Sequence, residues 1–134
     1  PLPQHPRRTG GAQRAMKGII LFGHGARAAE YAQPFERIRE AMTARRPDAV
    51  VELGFLELTP PSLEESIASL VSRGVRQISV VPIFIGPGRH VLKDLPQLAA
   101  NAMDRFPGLE ITLAPPVGES AAVVDAMARF ALDA

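Results

Sequence analysis

Three side chains in this 134-residue chain combine metal-ligating and proton-transferring chemistry at regular intervals: His24, Glu57 and His90, each 33 positions from the next. A neutral imidazole can act as a base or bind a metal, and a carboxylate can relay protons or neutralise a cation. Two imidazoles with one carboxylate suit a borderline divalent ion such as Co²⁺, Fe²⁺ or Ni²⁺ and leave coordination positions open for another ligand. Each residue also has a plainer reading: His24, in Gly23-His24-Gly25, as a helix cap, Glu57 as an arginine's partner and His90 as the start of a helix. What sets the three apart is where they fall relative to the elements that carry them. Arg27, Arg89 and Lys93 lie beside them. Singly these are surface charges, and together they can hold an acidic ligand.

Those elements are strands and helices in alternation. The run at 17–23, KGIILFG, reads as a short buried strand ending at His24. Tyr31, Phe35, Ile38 and Met42 form one helical stripe that stops at Arg46, before Pro47. A second strand at 49–56 ends at Glu57 and the breaker Thr59-Pro60-Pro61. Ser62 with Glu65 is a capping box for a helix burying Leu63, Ile67, Leu70 and Val71 and closing at Gly74. The apolar run at 78–85 is the strand around which the chain is organised. Gly86-Pro87-Gly88 then turns the chain and delivers Arg89 and His90 before Asp94 and Pro96 open a helix carrying Leu95, Leu98, Ala102 and Phe106 inward. A fourth strand at 109–113 precedes a last helix at 119–132, with Val124, Met127 and Ala131 on its apolar face. The order βαβαβαβα predicts an α/β fold of three layers, a four-stranded parallel sheet with helices on both faces, like one half of a flavodoxin-like or Rossmann-like domain. Parallel strands share one carboxyl rim, which is where ligands bind in such sheets, and His24, Glu57 and His90 each follow a strand on that rim.

Composition narrows the rest. One domain at 16–134 accounts for the length, with 1–15, rich in proline and glycine and containing His5, as a disordered tail or upstream extension before Met16-Lys17. With no cysteine there are no disulfides, thiolate-bound metals or cysteine nucleophile, a composition suited to the cytoplasm. The apolar runs are strand-length, so no membrane span is expected. The pI of about 8.9 is a local effect. Arg7, Arg8 and Arg14 sit in the tail, leaving 12 of the 15 basic residues against all 14 acidic ones, which argues against a nucleic-acid partner.

As a set, these motifs resemble the short-form sirohydrochlorin chelatases, class II enzymes that insert cobalt or iron into sirohydrochlorin. The resemblance runs from Lys17 to about Leu132 and rests on Gly23-His24-Gly25 with Arg27, on Phe55-Leu56-Glu57 with Pro60, and on Pro82-Ile83-Phe84-Ile85 through Gly88-Arg89-His90 and Asp94-Leu95-Pro96. Ala26 departs from it, since the family usually carries serine there. The resemblance implies a chelatase-like fold, a place in cobalamin or siroheme biosynthesis, and a substrate with eight carboxylates that Arg27, Arg89, Lys93 and the helix N-termini receive in part. It implies that His24 and His90 serve metal binding and proton abstraction, with Glu57 assisting and also a metal ligand. No cofactor is expected beyond the substrate ion, as there is neither a P-loop nor a dinucleotide fingerprint.

Larger chelatases of this type enclose the macrocycle between two such halves, so a homodimer is expected here. The alternatives are nickel insertion into a related isobacteriochlorin and a metal or tetrapyrrole carrier without turnover. A histidine-nucleophile phosphatase is disfavoured because Gly23, not arginine, precedes His24.

Overall fold

The computed structural model describes residues 17–86 and 88–134, so the expected tail at 1–15, with His5, and Pro87 lie outside the described residues. Four strands, β1 (Lys17–Gly23), β2 (Val50–Phe55), β3 (Gln77–Pro82) and β4 (Glu110–Leu113), form one parallel sheet in the order β2-β1-β3-β4. Four α-helices follow them in alternation: α1 (Gln33–Arg45), α2 (Leu63–Ser72), α3 (Arg89–Arg105) and α4 (Ala121–Asp133).

β1 is apolar on both faces because helices cover both. Ile20 and Phe22 join Ile78 and Val80 against Leu63, Ile67 and Leu70 of α2 and Val91 and Leu95 of α3. Leu21 joins Val51, Leu53 and Phe55 against Phe35 of α1, with Tyr31, Ile38 and Met42 packed around it. The aromatic rings of Tyr31, Phe35 and Phe55 lie with centroids 5.1 to 5.8 Å apart directly under the carboxyl end of β1 and β2. They give the rim a rigid floor. The capping box forms as expected: Ser62 Oγ accepts from Glu65 N–H at 3.0 Å and Glu65 returns a carboxylate to Ser62 N–H at 2.8 Å.

Three expectations are corrected. β3 ends at Pro82 rather than at 85, although Ile83 N–H still donates to Phe22 C=O at 2.9 Å. Next, α3 begins at Arg89, not at the proline, and carries Pro96 in its interior. A proline there removes a backbone bond and costs about 3 kcal/mol. Val91 and Leu95, one turn apart, are both buried against the sheet. Burying two such side chains contributes about 3 to 6 kcal/mol, so packing carries the helix through. Lastly, α4 buries none of its residues: Val124 and Met127 are exposed, where an inward face was expected.

Candidate functional site

The site forms where the β1–β2 pairing continues past the strand ends. Leu56 N–H donates to Gly23 C=O at 3.0 Å and Glu57 N–H to His24 C=O at 3.1 Å, so two consecutive donors hold the chain after β2 against the end of β1, an irregular extension beyond the Gly23 and Phe55 pair. That extension sets His24 beside Glu57, and their side chains meet. His24 Nε2–H donates to a Glu57 carboxylate oxygen at 2.9 Å, with 49% and 55% of the two side chains exposed. The pair is open to solvent on one side, which an incoming ion or ligand requires.

Two features allow this approach. Gly25 has a φ of +99°, and a Cβ built on it would lie 1.7 Å from the Glu57 carbonyl oxygen. Only glycine accepts that backbone conformation with a neighbouring chain in contact. Thr59 ties the other side: its hydroxyl accepts from Ala26 N–H and donates to Ala26 C=O, both at 2.9 Å. Between them Leu58 has a φ of +67°, with Thr59 N–H donating to Glu57 C=O at 2.7 Å in a three-residue turn. A leucine held in that region is strained. Its side chain is 58% exposed and stands on the rim next to Glu57.

Neither Thr59 nor Leu58 is legible as a site residue in the sequence, where Thr59 reads only as part of a breaker. The partner of the threonine hydroxyl is the backbone of a residue 33 positions away, and backbone leaves no signal in composition. The bracket also accounts for Ala26. Its N–H and C=O are what Thr59 engages, so the position keeps its structural part with a methyl side chain. Thr59→Val keeps the shape and removes both bonds. At roughly 0.5 to 1.5 kcal/mol for each, a loss of about 1 to 3 kcal/mol is expected by thermal unfolding, with reduced activity. An unchanged melting temperature would show that the bracket contributes nothing.

His90 is placed differently. It lies in the first turn of α3, not in a loop before a helix, and is exposed with Arg89 and Lys93 while Val91 and Leu95 point inward. Among the described residues no three His, Asp or Glu side chains are grouped closely enough to hold a metal ion, so the expected trio of His24, Glu57 and His90 is present as a pair with the third on the neighbouring helix end. Stripe geometry explains this: His90 precedes Val91 in the helix, and burying Val91 turns His90 outward.

The first turn of α3 carries no acidic residue, and its N-cap, Gly88, offers no side-chain cap. Arg89 and Lys93 thus add positive charge to the positive end of the helix dipole, and neither they nor Arg27 are in an ion pair among the described residues. Such a rim attracts carboxylates. No described helix is long and apolar enough to cross a membrane.

A family model described as CbiX matches residues 18–134. The sirohydrochlorin cobaltochelatase of Methanosarcina acetivorans is 37% identical over 79 residues, 59% of this chain and 61% of that protein. A cobalamin biosynthesis CbiX protein from Marinobacter aquaeolei superposes with a TM-score of 0.76 at 30% identity, covering 87% of this chain and 95% of the other. The sirohydrochlorin chelatase SirB of Bacillus subtilis subspecies spizizenii, solved in complex with cobalt, gives 0.74 at 31% identity, covering 87% of this chain and 50% of that one. The chain spans about half to three fifths of the length of the first curated relatives it matches, which are named as sirohydrochlorin cobaltochelatases or ferrochelatases.

Proposed function

Because the chain belongs to the CbiX family, we propose that it inserts a divalent metal ion, Co²⁺ or Fe²⁺, into sirohydrochlorin at the rim formed by His24 and Glu57. The observation that carries this reading is the 2.9 Å contact between two exposed, metal-competent side chains on adjacent strand ends. Insertion requires a cation to shed ligands while two pyrrole N–H groups lose their protons. His24 Nε2–H is given to Glu57. The ring proton moves to Nδ1 as the ion takes its place at Nε2, so one hydrogen bond is exchanged for contacts from a neutral imidazole and a carboxylate. Glu57 offsets the cation's charge and accepts protons in turn. His90, on the end of α3, meets the macrocycle from the side and receives a pyrrole proton, completing the role given to it with His24.

Arg27, Arg89 and Lys93 hold carboxylates on the substrate's periphery. The substrate ion is the only metal in this scheme, and no further cofactor takes part. We place the protein in the cytoplasm, in cobalamin or siroheme synthesis, as a homodimer whose rims share a cleft around the flat macrocycle.

The test mixes purified protein anaerobically with excess sirohydrochlorin and each of Co²⁺, Fe²⁺ and Ni²⁺ and follows the absorbance of the macrocycle. Several turnovers per protein with cobalt or iron, above the protein-free rate, are expected. A change that stops at one equivalent would mark a carrier, and a preference for nickel would move the assignment to that metal.

A further inference from the structure

Six large apolar side chains stand exposed among the described residues. Four belong to α4, and the other two, Leu58 at 58% and Ile85 at 75%, both lie on the rim. A single exposed aliphatic residue is ordinary and needs no account. These two differ in how their backbones are held. Leu58 sits at a φ of +67° at the centre of the turn that Thr59 N–H closes on Glu57 C=O. The residues on both sides of it are tied to the loop after β1, Glu57 through its N–H to His24 C=O and Thr59 through its hydroxyl to Ala26. Ile85 follows β3, whose pairing with β1 continues to Ile83 N–H on Phe22 C=O. Behind it the turn Val117–Glu119 closes against the chain: Gly118 N–H donates to Phe84 C=O at 2.9 Å, and a Cβ at Gly118 would lie 1.7 Å from the Ile85 carbonyl oxygen.

The sheet order places the two. In β2-β1-β3 the loop bearing Leu58 and the loop bearing Ile85 follow the strands on either side of the one that ends at His24. Two strand spacings, about 9 to 10 Å, separate the ends of β2 and β3. At position 58 a leucine incurs two costs, a left-handed backbone that asparagine or glycine adopts more readily and an apolar side chain left in water. Neither is offset by the core, since Leu58 and Ile85 belong to neither buried cluster nor to the side chains packed around them. Strain held in place at an exposed residue points to something that meets it from outside.

We propose that Leu58 and Ile85 are two apolar posts, one on each side of His24, that take the flat ring of the macrocycle. This rests on the metal-insertion reading above and adds the residues that grip the ring. Arg27, Arg89 and Lys93 offer charge to carboxylates on the periphery. The ring between those carboxylates presents apolar carbon, and two aliphatic side chains meet it by dispersion and by release of water. Held at the posts, the ring keeps its central nitrogens over the His24 and Glu57 pair. The posts thereby select a macrocycle over an open-chain polycarboxylate, which engages the charges alone.

The test titrates sirohydrochlorin, without metal, into the full chain and into Leu58→Asn and Ile85→Asn, following the absorbance of the macrocycle. Co²⁺ binding to the protein alone and thermal unfolding are measured beside it. Each variant should bind the macrocycle about tenfold or more weakly, the scale of one aliphatic side chain removed from an apolar contact. The loss should fall on KM rather than kcat, while Co²⁺ affinity and competition by citrate, which offers carboxylates without a ring, stay as in wild type. Leu58→Asn should melt no lower than wild type, because asparagine accepts the left-handed backbone, and Leu58→Met should keep the affinity. If Leu58→Asn lowers the melting temperature and the Co²⁺ affinity together with macrocycle binding, the residue serves the turn and its part as a post is overturned. A wild type and variants that bind the macrocycle equally overturn the posts and leave metal insertion standing. A wild type that does not bind sirohydrochlorin removes both.

Discussion

Replacing His24 with alanine is expected to lower the rate of metal insertion by about 10² to 10⁴, the range over which a positioned proton-transfer group acts, while moving the melting temperature by no more than a few degrees. The two effects separate because of where the side chain sits. Half of it is in solvent, and its one side-chain bond is to an equally exposed carboxylate. Exposed pairs of this kind contribute about 0 to 1 kcal/mol, so little stability is lost with it. Glu57→Gln should fall by a similar factor, because it removes the anionic charge but keeps the size of the side chain. His90→Ala separates the third position. Since His90 is not grouped with the other two, its loss should slow insertion yet leave Co²⁺ binding to the protein alone nearly unchanged. Steady-state kinetics with thermal unfolding read all three variants, and a His24→Ala enzyme with near-wild-type turnover would remove that residue from the mechanism.

Gly25→Ala is expected to be strongly damaging. At a φ of +99° any other residue is strained, and the added carbon would overlap the Glu57 carbonyl oxygen at 1.7 Å. That neighbour is backbone, so no rotamer change relieves the overlap and the two loops must part. The Glu57 to His24 backbone bond and the Thr59 bracket then break together. A loss of about 3 kcal/mol or more is expected, which corresponds to a fall of roughly 10 to 15 °C for a domain of this size. Activity should fall with it. Gly86→Ala is the control, because no heavy atom lies within 4 Å of a Cβ built there. Equal melting temperatures for the two variants would contradict the close-approach explanation of Gly25.

The framework of the site could be read in the sequence wherever local patterns agree with packing. β1 falls at the expected residues, β2 and β4 within one residue of them, and the Ser62–Glu65 box caps α2. That is why His24 and Glu57, which follow β1 and β2, could be placed together. Where a tertiary term overrode a local one, the reading failed. Pro96 marks a helix start by its local chemistry, but the buried faces of Val91 and Leu95 extend α3 back to Arg89 and take His90 with it. The apolar residues of α4 are there as expected, yet a stripe does not say what it packs against, and none of the helix's residues is buried. The left-handed turn at Leu58 and the hydroxyl bracket at Thr59 depend on backbone groups distant in sequence, which residue types do not encode.

The central claim is that the ion is received by the first two strand ends, and the most direct measurement is the position of cobalt in a crystal of this protein soaked with Co²⁺, located by its anomalous scattering. The expected peak lies about 2.0 to 2.2 Å from His24 Nε2 and from a Glu57 carboxylate oxygen, in the range of imidazole and carboxylate ligation by a similar divalent ion, with the 2.9 Å hydrogen bond between them replaced. A peak elsewhere on the chain, with the His24 to Glu57 bond intact, would contradict it.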